Sequence, residues 1–267
     1  MTTDSWKKTV CASILAATLA TAGSQPLFQQ RLATVFDRLS AMKTWDRDED
    51  IRLKIQTRDL TNSYILDAIN QPVPAAARNL EHDLNESFSQ AIGHMSMEDL
   101  RKFWGDVHYA TVLDARWRGR NAFVVGYVIP HANTSLDIIE VAVPVSGAYQ
   151  FAAAGGSEME NHALRLDLVP PTSSGAIRFL AHGQRLGANQ SPVCVVLYQF
   201  EGKSLVSLWT RNDLWQGTVT ARGNRITLTY QDADHFQKRT PPYFLREEYD
   251  LAPQGVKLAS RHCADSK

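Results

Sequence analysis

The chain is poor in the features that most often betray an activity. Three cysteines in 267 residues are too few for a disulfide lattice, and no Cys-x-x-Cys pair occurs among them. Charge of one sign is lacking too. The 28 basic residues balance 28 acidic ones, which gives no electrostatic reason to expect nucleic acid or an anionic membrane as a general partner. There is no Gly-x-Ser-x-Gly elbow, no phosphate-cradling Gly-rich loop and no His-Glu-x-x-His helix. Gly155-Gly156-Ser157 lacks the rest of any such motif. What these absences leave open is a hydrolase built from scattered residues, because a triad is recognised by geometry and not by chain order.

What is present begins at the N-terminus. Lys7 and Lys8 precede an uncharged run from Thr9 to Leu19, and Ala20-Thr21-Ala22 follows before Gly23. A basic head, a short apolar stretch and a small-x-small exit are the three parts of a secretory signal peptide. Residues 1–22 therefore read as a signal and the protein as secreted or periplasmic, with an ordinary N-terminal helix as the alternative. Residues 9–22 fall short of the about 20 apolar residues that a membrane-spanning helix needs, so no transmembrane anchor is expected in the mature chain. Cys11 opens the run instead of ending it, which argues against lipidation. The mature chain keeps Cys194 and Cys263; an oxidising compartment makes one disulfide between them available, against the alternative that Cys194 is a small buried hydrophobe.

The hydrophobic rhythm then splits the mature chain in two. Leu27 or Phe28, Leu32, Val35 or Phe36, Leu39 and Met42 recur at three and four residues, as an amphipathic helix requires. A shorter helix is expected through Tyr64, Ile65, Ala68 and Ile69, ending before Pro72-Val73-Pro74. Another is expected from Ala75 through Leu80, Leu84, Phe88 and Ile92 to Gly93, and a fourth near Met97 behind the Ser96 and Asp99 cap. After Asn121 the period becomes two. Phe123 to Ile129 is apolar on both sides, which suits a strand covered on both faces. Trp215, Gly217, Val219 and Ala221 oppose a polar set, as do Ile226, Leu228 and Tyr230. Tight-turn residues at Glu201-Gly202, Arg222-Gly223-Asn224 and Pro253-Gln254-Gly255 join neighbouring strands into an antiparallel meander. The fold class is thus α+β: a helical subdomain over 23–115, then an antiparallel β domain over 116–267 of about nine to eleven strands, arranged as a sandwich, an open barrel or a partial propeller.

One stretch carries a family likeness. Tyr198-Gln199-Phe200-Glu201-Gly202-Lys203 followed by Leu208-Trp209 resembles one blade of a quinoprotein-type propeller. It spans about twelve residues and does not recur, whereas a closed propeller needs about four to eight four-stranded blades. The resemblance is one of hairpin chemistry, and no cofactor site is carried across.

Candidate site residues are few. Parity with Leu245, Tyr249 and Leu251 sends Glu247 inward, where an apolar setting would raise its pKa and fit it to act as a general acid or to bind a cation. The alternative is a bulge that turns it outward, or an edge strand guarded by an inward charge. Trp209 and Trp215 either line a binding face, with Tyr230 and Tyr249, or fill the β core. Asp232, Asp234 and His235 place three potential ligands together, but match neither an EF-hand nor a standard zinc spacing. His94, Met95 and Met97 offer soft donors and read better as a helix-entry loop. His82 and Glu86 lie on the polar side of their helix and read as a surface pair. Arg116, Trp117, Arg118 and Arg120 form a basic-aromatic cluster at the proposed boundary. No cofactor, metal or catalytic set emerges. The sequence points to a non-catalytic binding or assembly module for a protein, peptide or saccharide partner, with an envelope hydrolase using Glu247, His235 or Asp232 as the alternative.

Overall fold

The computed structural model describes residues 25–41, 47–93, 108–129, 135–156, 161–172, 174–185, 192–232 and 244–264. The segment expected to be a signal, the helix expected near Met97, the His94 to Met97 donors, Asp234 and His235 lie outside the described residues. The chain divides into two units, Met1–Val107 with Val145–Tyr149, and His108–Pro144 with Gln150–Lys267.

The first unit holds helices α1 (25–41), α2 (Arg47–Ile69) and α3 (Ala77–Gly93). The stripe of α1 buries Phe28, Leu32, Val35, Phe36 and Leu39, while Leu27 stays exposed. Phe28 stacks on Tyr64 of α2 at 4.5 Å, and Phe36 meets Phe88 of α3 at 6.0 Å. The stripe is therefore covered within the unit. Helix α2 starts well upstream of the Tyr64 stretch; its buried side there carries Asp50, Lys54, Thr57 and Thr61, polar residues that leave no apolar period. Asp48, Glu49 and Asp50 sit in the first turn, where the helix dipole favours negative charge. Asp50 pairs with Lys54 at 3.0 Å, and the Thr57 and Thr61 hydroxyls donate to carbonyls one turn back. Among the described residues no helix is long and apolar enough to cross a membrane.

The strands, which apart from the β3–β4 end at Val145–Tyr149 belong to the second unit, are β1 (Ala110–Trp117), β2 (Arg120–Ile129), β3 (Leu136–Val145), β4 (Ala148–Gly155), β5 (Asn161–Val169), β6 (Ile177–Arg185), β7 (Val193–Phe200), β8 (Leu205–Arg222), β9 (Arg225–Gln231), β10 (Phe244–Ala252) and β11 (Gly255–Ala264). Two antiparallel sheets result, ordered β1-β2-β3-β4 and β11-β10-β9-β8-β7-β6-β5. Strand β1 begins at Ala110, so the switch of rhythm precedes the boundary read at residue 116. Arg116 to Arg120 instead make the β1–β2 hairpin, where Trp117 pairs with Arg120 and both Arg118 and Gly119 take positive φ. Two left-handed residues are what a two-residue hairpin turn demands. Arg118 lies over the Trp117 ring, which itself packs on Phe200 at 5.0 Å.

Every residue of β2 from Ala122 to Ile129 is buried, as its unbroken apolar run requires. A Cβ on Gly126 would sit 2.9 Å from Leu164 of β5, so the missing side chain lets the two sheets approach. The Thr111 hydroxyl donates to the Leu164 carbonyl at 3.1 Å across the same junction.

The seven-stranded sheet turns a corner inside β8. Residues Leu205 to Leu214 pair with β7, and Trp215 to Arg222 pair with β9. Gln216, at φ 47°, marks a bulge where the β8–β9 register slips between Trp215 and Thr218. Bulged strands that pass from one layer to another are how such sheets make corners. A core then fills the fold: Val169, Leu180, Val195 and Leu197 from one side, Leu214 at the bend, and Ile226, Leu228, Tyr230, Leu245 and Tyr249 from the other. The sheet does not close into a barrel. Arg178 on β6, itself buried, ties the layers by donating to the Ala252 and Gly255 carbonyls at 2.9 and 3.2 Å.

Candidate functional site

Glu247 lies where β10 faces the β6–β8 layer across that core. The β9–β10 ladder runs in unbroken register, setting Glu247 opposite Leu228 and Tyr249 opposite Ile226. Alternation therefore sends Glu247 inward with Leu245 and Tyr249, and it is 3% exposed. The bulge between Glu248 and Tyr249 occurs in the β10–β11 pairing and does not turn it out. Strand β10 is not an edge either, since β11 pairs with it.

The carboxylate is saturated by donors. Tyr249 donates its hydroxyl hydrogen to Glu247 Oε2 at 2.7 Å, and Arg211 donates from Nη1 to the same oxygen at 2.8 Å. Arg261 on β11 stands 3.4 Å from Oε1. Arg211 also donates to the Tyr249 hydroxyl at 3.0 Å, the Tyr230 hydroxyl at 3.4 Å and Asp213 at 3.0 Å. Its guanidinium lies 5.4 Å from the Tyr230 ring centre. Burial by itself would raise the Glu247 pKa, but hydrogen bonds from Tyr249 and Tyr230 and the charge of Arg211 outweigh it and hold the carboxyl below its usual range. The raised pKa that the apolar setting suggested is thus reversed in sign. These contacts favour the ionised form of Glu247 at neutral pH.

Arg211 itself loses solvation, yet the Tyr230 and Asp213 contacts and the Glu247 charge raise its pKa further. Burial and the Glu247 carboxylate push the Tyr249 hydroxyl up to about 12. Changing Tyr249 to Phe removes a hydrogen bond to a charged acceptor, so a loss of about 1.5–3 kcal/mol is expected. Urea denaturation measures that loss. A pH titration of tyrosine absorbance should also show the phenol ionising near 12 disappear from the variant.

Trp209 belongs to this cluster. It pairs with Leu197 on β7 and packs its ring on Tyr249 at 5.0 Å. Trp215 does not belong. The slip at Gln216 sets it opposite Gln231, whose neighbour Tyr230 is in the core, so Trp215 points to the other face while Val219, opposite Leu228, points inward. The two tryptophans cannot share one surface.

A second polar pair went unread in the sequence. His182 on β6 donates from Nε2 to Asp167 Oδ2 on β5 at 2.8 Å, which holds the Asp167 carboxyl below its usual range against burial, with help from the His182 and Arg165 charges. Arg165 sits directly opposite His182, and His182, Val195 and Arg211 follow one another across β6, β7 and β8. Two strand spacings separate His182 from Arg211, about 10 Å. The residues lie far apart in sequence and match no motif; only the register could have joined them.

Among the described residues no group of three or more His, Cys, Asp or Glu is arranged to hold a metal ion. His82 and Glu86 are exposed on α3, and Glu86 accepts from Gln25 and Gln90. Cys194 on β7 is buried and Cys263 on β11 exposed, and three strands separate theirs in the sheet order.

No family model and no curated protein matches the chain. Two solved structures of a Fusarium graminearum enzyme are similar to it, the α-L-arabinofuranosidase Arb93A with an iminosugar inhibitor and the GH93 α-L-arabinofuranosidase with arabinobiose. Each aligns at 14% identity and a TM-score of 0.33, over 59% of this chain and 50% of theirs. The chain spans about half the length of these structures, and a likeness at that score carries no weight for fold or chemistry.

Proposed function

We propose that the protein is an exported, non-catalytic binding or assembly module that recognises a polymer, peptide or protein partner through its β unit. The observation that supports this reading is the state of Glu247. The one inward carboxylate legible in the sequence is buried, ionised and held by Arg211, Tyr249 and Arg261, an arrangement suited to bracing two layers and unsuited to proton transfer. Export is read from residues 7–22 alone. The purified protein should be stabilised in a thermal-shift screen by a saccharide or peptide, by about 2.7 kcal/mol at a hundredfold excess over Kd, without turnover of chromogenic glycosides, esters or peptides.

The envelope-hydrolase reading draws on the Asp167 and His182 pair, since a carboxylate that orients an imidazole is half of a general-base arrangement. Turnover of any of those substrates, abolished by His182→Gln, would replace the binding reading with the hydrolase.

A further inference from the structure

We infer that the outer face of strands β8 to β11 docks an acidic polysaccharide. This rests on the binding-module reading and names the ligand class and the surface. The pairing registers arrange that face in four rows: Trp215, Gln231, Phe244 and Ala264; then Thr218, Thr229, Arg246 and His262; then Thr220, Thr227, Glu248 and Ser260; then Arg222, Arg225, Asp250 and Lys257. Neighbours within a row are about 4.8 Å apart, and rows about 7 Å apart. Gln231 in the first row is buried; Trp215, Phe244 and Ala264 are half-buried, as are Thr229, Thr227, Glu248 and Ser260 in the next two rows, and the remaining positions are exposed.

The composition of the last three rows selects the ligand. Thr218, Thr220, Thr227, Thr229 and Ser260 supply hydroxyls that both donate and accept. Arg222, Arg225, Arg246 and Lys257 face only Glu248 and Asp250. Both carboxylates are already engaged, Glu248 by Arg225 at 3.2 Å and Arg246 at 3.0 Å, and Asp250 by Arg225 at 3.3 Å. Arg222 and Lys257, exposed at the two ends of the last row, are the surplus. The neutral charge of the whole chain conceals this local positive face. None of the large exposed hydrophobic residues, such as Val206 and Leu258, falls on these rows, so the three polar rows lack the apolar anchors that protein interfaces centre on. Trp215 and Phe244, half-buried in the first row, leave part of their rings at the border of the face, where an aromatic edge can pack on a sugar ring. A chain of hydroxyls with regularly placed carboxylates satisfies both features, through threonine hydrogen bonds and charge-assisted contacts to arginine and lysine.

Affinity gel electrophoresis with polygalacturonate, and with dextran as the uncharged comparison, tests the assignment. The wild-type protein should be retarded by polygalacturonate and not by dextran, and added salt should weaken the retardation. Arg222→Gln with Lys257→Gln should lower the affinity about tenfold, close to 1.4 kcal/mol. The charge-matched pair Arg52→Gln with Arg58→Gln on α2 should leave it unchanged. Equal retardation of wild type and the Arg222/Lys257 variant, an equal loss in the α2 variant, or no retardation by polygalacturonate overturns the assignment. If polygalacturonate fails while a peptide or neutral saccharide stabilises the protein, the polysaccharide assignment falls and the binding-module reading stands.

Discussion

Arg211→Ala should cost the β unit about 3 kcal/mol, close to the lower end of what breaking a buried ion pair costs. The Arg211 side chain is 23% exposed, so solvent screens part of the interaction, whereas Glu247 at 4% loses its main counter-charge with almost no access to water. At about 2–4 °C per kcal/mol, thermal unfolding should shift down by roughly 6–12 °C. The pH dependence gives the sharper signature. In the wild type the folded pKa of Glu247 lies below its ordinary 4.5, so its contribution is fully present above that value and is lost as pH falls through the lower folded value. Without Arg211 its charge and hydrogen bond no longer lower the pKa while burial still raises it, so the folded pKa of Glu247 moves up from its wild-type position. The variant's deficit should therefore shrink as pH falls through that raised value, because protonation removes the stranded charge. Urea denaturation at pH 7 and at about pH 4 checks this; an Arg211→Ala deficit as large in acid as at pH 7 would mean that Glu247 is not the group left unpaired. Arg211→Met with Glu247→Leu and Tyr249→Phe should recover much of the loss, since well-packed apolar groups often replace a buried pair at little cost and the triple change leaves no buried Tyr249 hydroxyl without its acceptor.

Deleting Gln216 should be at least as damaging. The bulge lets Leu214 point into the core with Val193, while Val219 and Ala221, past the slip, also pack against it. Removing one residue turns one half of β8 over, because the side-chain period in a strand is two. Either Thr218 and Thr220 enter the core as hydroxyls without arranged partners, or the β7 pairing is lost. The first outcome costs about 1–3 kcal/mol per hydroxyl, so about 4 kcal/mol is expected, with weakened near-ultraviolet circular dichroism and fast amide exchange in β9 to β11. Retained stability and unchanged exchange in those strands would show that β8 does not need its extra residue.

That bulge also marks where sequence reading stops. The helical rhythm of Phe28 to Leu39, the two-sided burial of Ala122 to Ile129 and the three Gly-bearing turns of the meander were legible because each is set by local chemistry and by burial of the chain's own apolar residues. The first half of α2 was not legible, since its buried side holds an Asp50 to Lys54 pair and threonine hydroxyls satisfied by the helix's own carbonyls instead of a hydrophobic stripe. Alternation carried unbroken through Gln216 would set Trp215 on the same side as Val219, whichever of the two roles that side has. A single left-handed residue sends it to the opposite face.

For the candidate site the division is similar. Strand parity placed Glu247 inside, and the sequence needed nothing more to do so. It could not supply the sign of the pKa shift, because Arg211 lies on another strand and reaches Glu247 only after β8 bends. The Asp167 and His182 pair, and the surplus of positive charge on the outer rows of β8 to β11, likewise exist only through register. Period and turn chemistry act over a few neighbouring residues, so the sequence by itself determined the α+β order, the meander and the inward carboxylate. The charges that meet come from strands brought together by folding, and their balance of burial against pairing was decided by the tertiary structure alone.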